Sequence, residues 1–243
     1  MYSKKRRAVG LARSGQIRNK VDMSITTIVF DFGNVLGFFS HRKAAEQLAQ
    51  FSPLSADDIL KHYLDPKLED EFESGRMSLP EFRALVRQRC RVTCSDAQLD
   101  WAIADMFTPN EEVCALVPAL KPGYRLVLLS NTNELHAVHF RRQFAETLAH
   151  FDALVLSHEV GFRKPCAAIY AHCHTIAGSK PRQCLFIDDL PANIEAARAC
   201  GWQGIVYHRG LDLRRELQRL GIELHPVGQA RRLPKAPTKM RLP

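Results

Sequence analysis

The sequence predicts an α/β protein, a doubly wound parallel sheet with a small helical module inserted into it. Three observations predict this. Five short β-rich runs recur at 25–32, 125–130, 153–157, 184–187 and 204–207, and most are near-continuously apolar, as suits parallel strands covered on both faces. Helical patterns separate the last four, the alternation that β-α-β crossovers produce. Roughly ninety residues lie between the first two runs, where a single crossover needs about a dozen.

The elements follow in chain order. Residues 1–22 carry seven Lys/Arg and one Asp, with many helix breakers and no apolar period, so this basic stretch is expected to be a disordered tail. Met23, just before the first strand, is a second possible start. The first strand, within "TTIVFDFGNVLGFF", ends in Asp31. The long interval that follows holds three S-x-x-(D/E/Q) pairs, Ser55/Asp58, Ser78/Glu81 and Ser95/Gln98, each opening an amphipathic segment. Residues 37–107 are therefore expected to form a helical cap, with 23–36 and 108–225 as the α/β core. Lys164 falls in the loop after the third strand, with Pro165 expected at the first position of the next helix. Along that helix Cys166, Ile169, Tyr170, Cys173 and Ile176 fall on one stripe, which makes Cys173 a core residue and turns His172 and His174 away from any shared metal. Residues 226–243 form a second basic stretch, again expected to be disordered.

Charge and composition exclude several classes. The net charge of +8 resides in the tails, which contribute +6 and +5, while the 203 residues between them sum to −3. A nucleic-acid-binding body is not expected. No run of eighteen apolar residues exists and the leading segment has no apolar stretch of the secretory kind, so the expectation is a cytoplasmic protein with no membrane contact. Seven cysteines, odd in number and without a C-x-x-C pair, read as a reduced set. A monomer or weak homo-oligomer is expected.

Ligands of open α/β sheets bind beyond the carboxyl ends of the strands. That edge collects Asp31 after the first run, Ser130 and Asn131 after the second, Lys164 after the third, and Asp188 and Asp189 after the fourth. The set fits metal-assisted phosphoryl chemistry. Asp31 is the candidate nucleophile, forming an aspartyl-phosphate. Mg²⁺ prefers hard oxygen ligands, and Asp31, the backbone carbonyl of Gly33 and Asp189, with Asp188 beside it, offer them. Ser130 and Lys164 are candidates for the equatorial phosphoryl oxygens.

Four stretches, "VFDFGNVL", "LLSNTNELH", "GFRKPCAAIY" and "FIDDLPANIEAARACGW", resemble in their order the four motifs of the haloacid dehalogenase superfamily over residues 25–208. The first two are similar in form to the bacterial α-D-glucose-1-phosphate phosphatase group. The resemblance implies Asp31 as nucleophile, the Gly33 carbonyl and Asp189 as magnesium ligands, and Ser130, Asn131 and Lys164 as phosphate contacts. It also implies a Rossmann-like core with a small helical cap, and a phosphorylated small metabolite as substrate, a sugar phosphate such as glucose 1-phosphate. Most phosphatases of the superfamily carry a second aspartate where this chain has Gly33; a positioned acid contributes about 10²- to 10⁴-fold. The glucose-1-phosphate phosphatase group is similar in the same departure.

Other readings stand beside these. Ser130 and Asn131 also suit caps of the helix that starts near Asn133. Asn193 either braces the metal site or starts its helix. His136 and His158 are candidates for the missing acid as well as for packing or solvent-facing roles, and Gly75–Arg76 is an inter-helix turn within reach of substrate. A 2-haloacid dehalogenase also lacks the second aspartate, but it has no need for the paired late carboxylates. A catalytically quiet binding protein would not need Asp31, Lys164 and both late aspartates together.

Overall fold

The computed structural model describes residues 24–63 and 65–226. Met23 and both basic tails, apart from residue 226, lie outside the described residues. Among the described residues seven strands form, β1 (Thr27–Phe30), β2 (Gly37–Phe39), β3 (Phe107–Pro109), β4 (Arg125–Ser130), β5 (Ala153–Leu156), β6 (Cys184–Asp188) and β7 (Gln203–Val206). Five of them make one parallel sheet in the order β5-β4-β1-β6-β7, the doubly wound arrangement expected from the sequence.

The apolar runs explain why this sheet is covered on both faces. Alternate residues of a strand point to opposite sides. Ile28 and Phe30, Leu126 and Leu128, and Leu185 and Ile187 enter one core. Val29, Val127, Leu129 and Phe186 enter the other, against Ile169, Tyr170 and Trp202. β1 is central and fully buried. The chain winds from β1 through β4 to β5 on one side, then returns to β6 and β7 on the other. The crevice at the carboxyl end of β1 is therefore the switch point where loops diverge.

The first run is shorter than expected because Phe32 leaves the sheet and stacks on Phe140 at 4.2 Å, with Phe107 and Phe144 edge-on. The chain then forms β2, which pairs antiparallel with β3. This two-stranded ribbon was not expected, since three-residue strands separated by a whole helical module leave no periodic trace.

Between β2 and β3 lie α1 (His41–Ala49), α2 (Ala56–Tyr63), α3 (Pro66–Glu73), α4 (Leu79–Cys90) and α5 (Asp96–Ala104). Ser78 and Ser95 each close a reciprocal capping box, a motif in which a good N-cap is worth about 1 kcal/mol. The Ser55 hydroxyl accepts from Asp58 N–H at 3.2 Å and donates to its carboxylate at 2.7 Å. The five helices bury a separate apolar cluster that includes Leu48, Ile59, Phe72, Phe82, Leu99 and Ile103. Gly75 marks where this module meets the short helix Ser157–Val160 that follows β5. Its φ is +67°, and a Cβ there would lie 2.4 Å from the His158 carbonyl oxygen.

Two local expectations are corrected. The helix after Lys164 runs Ala167–Ala177 with Cys166 as its N-cap, so Pro165 precedes the cap instead of opening the helix. For the same reason Cys166 is exposed and does not belong to the core stripe, whereas Cys173 is buried. All seven cysteines are free thiols. Among the described residues, no helix is long and apolar enough to cross a membrane.

Candidate active site

The carboxyl ends of β1, β4 and β6 bring the sequence-selected residues together. Asp31 continues the ladder beyond β1, its backbone N–H donating to the Ile187 carbonyl at 2.9 Å. Its Oδ1 accepts from Phe32 N–H at 2.7 Å and lies 2.6 Å from Lys164 Nζ. The same ammonium lies 2.7 Å from Asp188 Oδ2. Asp188 is completely buried and further held by the Leu190 N–H and by the Asn193 amide, at 2.9 Å and 3.1 Å to its two oxygens. Asn193 therefore braces Asp188.

Asn131 holds a different part of Lys164. Its Oδ1 accepts from the Lys164 backbone N–H at 2.7 Å, and its Nδ2 donates to the Lys164 carbonyl at 3.0 Å. The amide side chain is thus a clamp on the lysine's backbone, and a capping role is excluded. The helix Glu134–Gln143 is capped by Asn133, whose Oδ1 accepts from His136 N–H. Ser130 is buried, with only a long 3.3 Å contact from Oγ to the Asn131 carbonyl, so its hydroxyl is not strongly committed.

Asp189 is half-buried beside these groups and accepts from Asn34 Nδ2 at 2.9 Å. Asn34 was missed from sequence. Its φ of +55° is one that asparagine tolerates, and this geometry turns its amide toward Asp189. Gly33 bridges to Gly37 within the same tight loop. A Cβ at Gly33 would meet Phe39 Cε1 at 3.1 Å, so the ring of Phe39 occupies the direction a side chain at 33 would take.

Electrostatics makes the cluster fit for a divalent cation. Carboxylate oxygens of Asp31, Asp188 and Asp189 lie within 4.8 Å of one another, and the Lys164 ammonium pairs with the first two. Burial pushes the Asp31 carboxyl up to about 7; Lys164 opposes that shift while Asp188 and Asp189 add to it. Burial also raises Asp189. Lys164 is held above its ordinary value, Asp31 and Asp188 outweighing its own desolvation. An all-oxygen donor set with an excess of negative charge suits Mg²⁺.

Above this floor lies a cavity of about 250 Å³, slightly below the usual range for ligand sites. Its roof comes from the helical module and the ribbon, with Phe39, Leu68, Phe72 and Phe82 alternating with His41, Tyr63, Glu69 and Glu73. Arg163 enters from the core side and pairs with Glu69 at 2.8 Å, Asp70 at 3.2 Å and Glu73 at 2.7 Å. Burial pushes Glu73 up to about 7 against the pull of Arg163. None of the roof residues was read from the sequence, because the helical periodicity that marks their elements carries no information on which turns face another module.

The two histidine candidates for the missing acid do not fit that role. His136 lines the cavity, but its Nδ1 takes the Asn133 amide N–H at 3.0 Å, and burial drives the ring down to about 3. The imidazole is neutral at ordinary pH. His158 hydrogen-bonds the Thr132 carbonyl through Nδ1 at 3.2 Å and is not among the residues lining the cavity. The Gly75–Arg76 turn is structural, Arg76 pairing with Asp70 and Glu71.

Comparison with known proteins gives a consistent picture. Residues 25–201 match the sequence profile of the haloacid dehalogenase-like hydrolases. The chain is 27% identical over 200 residues to a D-ribitol-5-phosphate phosphatase of Bacteroides thetaiotaomicron, covering 79% of this chain and 97% of that protein. A predicted haloacid dehalogenase-like hydrolase from Porphyromonas gingivalis superposes with a TM-score of 0.70 at 30% identity, over 82% of this chain and 98% of that one. A haloacid dehalogenase family enzyme of B. thetaiotaomicron in complex with magnesium gives 0.71 at 25%, over 80% and 99%. The superfamily expected from the motifs is the one found. The named phosphatase is a ribitol-phosphate enzyme, not one for glucose 1-phosphate.

Proposed function

Because the chain belongs to the haloacid dehalogenase-like hydrolase family, we propose that it is a Mg²⁺-dependent phosphatase of a small phosphorylated metabolite, working through a phosphorylated Asp31. The observation that carries the reading is the joint placement of Asp31, Lys164, Asp188 and Asp189, with three carboxylates around one buried ammonium. The phosphatase name of the ribitol-5-phosphate relative and the magnesium complex of the structural relative support it.

In this reading Asp31 attacks phosphorus, and the bond to the substrate oxygen breaks on the opposite side, toward the roof. The Phe32 N–H hydrogen bond and the Lys164 ion pair at Oδ1 fix the carboxylate's orientation before substrate arrives, so little reorganisation accompanies attack. Lys164 stabilises charge on the phosphoryl oxygens, helped by the Ser130 hydroxyl and the Asn131 backbone N–H; the Asn131 side chain acts by keeping Lys164 in place. Asp31, the Gly33 carbonyl and Asp189, backed by Asp188, would hold Mg²⁺, which when bound supplies Lewis-acid charge to the phosphoryl group. Residues 37–107 serve as a cap, and the core comprises 23–36 and 108–225. The cap's aromatic residues exclude water from the phosphoryl centre.

The cavity's volume supports a metabolite over a macromolecular phosphate. A phosphorylated sugar or sugar alcohol is the finer reading, with glucose 1-phosphate suggested by the motif forms and D-ribitol 5-phosphate by the named relative. One observation favours the dehalogenase alternative, the absence of a carboxyl at Gly33; the paired Asp188 and Asp189 favour metal chemistry instead. A panel of phosphorylated metabolites and 2-chloropropionate, assayed with Mg²⁺ and with chelator, tests the choice. Phosphate release that requires Mg²⁺ is expected. Metal-independent chloride release without phosphatase activity would refute it.

A further inference from the structure

The floor and the roof of the cavity differ in how their polar atoms are used. On the floor, Asp31, Asn131, Lys164, Asp188, Asp189 and Asn193 all have partners in the protein. On the roof several do not. Glu73, in the last turn of α3, has a side chain only 12% exposed. Its Oε2 lies 2.7 Å from Arg163 Nη2 and makes no aligned hydrogen bond. Its Oε1 has no hydrogen-bond partner among the described residues, nor does the Tyr63 hydroxyl. His41 Nδ1 is buried without a partner as well. Oε2 is the enclosed oxygen of the pair, Oε1 the accessible one; because Glu73 lines the cavity, a ligand with hydroxyl donors can reach this uncommitted acceptor.

We propose that Glu73, positioned by Arg163, sets substrate specificity by accepting hydrogen bonds through Oε1 from the hydroxyls of a polyhydroxylated leaving group. The inference rests on the phosphatase reading of the floor, because the leaving group of in-line attack by Asp31 departs toward this roof. Arg163 is the positioning residue. It draws on Glu69, Asp70 and Glu73 together, so the carboxylate of Glu73 is held at one edge while the other stays available. The neighbouring rings of Phe39 and Phe72 face the carbon skeleton, and Tyr63 offers a hydroxyl to the same ligand. A site built to bond a hydroxyl discriminates against a substrate that lacks it, because binding then displaces water from the acceptor without replacing its hydrogen bond.

The test compares kcat/KM, with Mg²⁺, on D-ribitol 5-phosphate and glucose 1-phosphate against p-nitrophenyl phosphate, which has no hydroxyls, in wild type, Glu73→Gln and Glu73→Ala. Assayed at pH 8, above the value of about 7 to which burial raises Glu73, loss of a hydrogen bond to the carboxylate should lower the ratio of hydroxylated to aryl substrate by about tenfold or more. Glu73→Gln keeps the side chain's shape, and Arg163 retains Glu69 and Asp70, so this variant carries the test if Glu73→Ala does not fold. A ratio within about twofold of wild type, including a parallel loss on all substrates, overturns the inference. So does wild-type turnover of p-nitrophenyl phosphate without turnover of either hydroxylated substrate. A steeper dependence on leaving-group acidity across aryl phosphates in Glu73→Gln would make Glu73 a proton donor and overturn the specificity role. Absence of any Mg²⁺-dependent phosphate release by wild type would instead bring down the phosphatase reading itself.

Discussion

Restoring a carboxyl at position 33 should make the enzyme less selective for good leaving groups. In wild type no acid stands at Gly33, and neutral His136 does not replace it, so negative charge building on the departing oxygen is incompletely neutralised. A positioned acid contributes about 10²- to 10⁴-fold, roughly 3–5 kcal/mol of barrier. Against this stands the space. A Cβ at 33 would lie 3.1 Å from Phe39 Cε1, and the ring must give by a few tenths of an ångström. Phe39 is 37% exposed and can swing outward, so a cost of about 1 kcal/mol is expected, near the lower end for overpacking. The balance favours a gain on poor leaving groups. Gly33→Asp and Gly33→Asp/Phe39→Ala are to be compared with wild type by kcat/KM over aryl phosphates of graded leaving-group pKa. The expected dependence is steep in wild type, shallower in the single variant and shallowest in the double. A flat wild-type series, with single-turnover data showing that phosphorylation of Asp31 limits the rate, would refute the reasoning.

Three further outcomes follow from particular contacts. Chelation should silence wild type reversibly, and Asp189→Ala should sharply raise the Mg²⁺ concentration needed for half-maximal activity, measured by phosphate release over a Mg²⁺ titration. Glu73 titrates near 7 in the folded protein against an ordinary 4.5, through burial, with Glu69 adding and Arg163 and Lys164 opposing. Its folded state prefers the proton, so stability falls as pH rises from about 4.5 through about 7, by at most about 3 kcal/mol; Glu73→Gln should lack this component, so the variant's Tm should rise relative to wild type between pH 5 and pH 8. Gly75→Ala places a Cβ 2.4 Å from the His158 carbonyl at a φ of +67° and should cost more than about 1 kcal/mol, lowering Tm by at least about 2–4 °C.

The sheet was legible because buried parallel strands leave continuous apolar runs, and β4 matches its run residue for residue. The convergence of the floor residues of the candidate site was legible for a related reason. Charged and amide residues placed directly after such runs have no packing explanation, and β-α-β topology carries all of them to one edge. What was lost depended on contacts distant in sequence. The β2–β3 ribbon pairs Gly37–Phe39 with Phe107–Pro109, across the whole helical module. Glu73 and Arg163 meet only because α3 docks beside the Lys164 loop. Asn131 shows a subtler limit. Its position at the strand end was right, but only the folded arrangement reveals that its side chain is spent on the Lys164 backbone.

The central claim is that Asp31 carries the phosphoryl group. Acid quenching during steady-state turnover of p-nitrophenyl phosphate with Mg²⁺, followed by peptide mass spectrometry, tests it most directly. The account predicts the added mass of one phosphoryl group on the peptide containing Asp31, labile at alkaline pH, and its absence together with loss of turnover in a folded Asp31→Asn variant. Turnover near the wild-type rate in Asp31→Asn, or a phosphoryl group trapped on another residue, would contradict it.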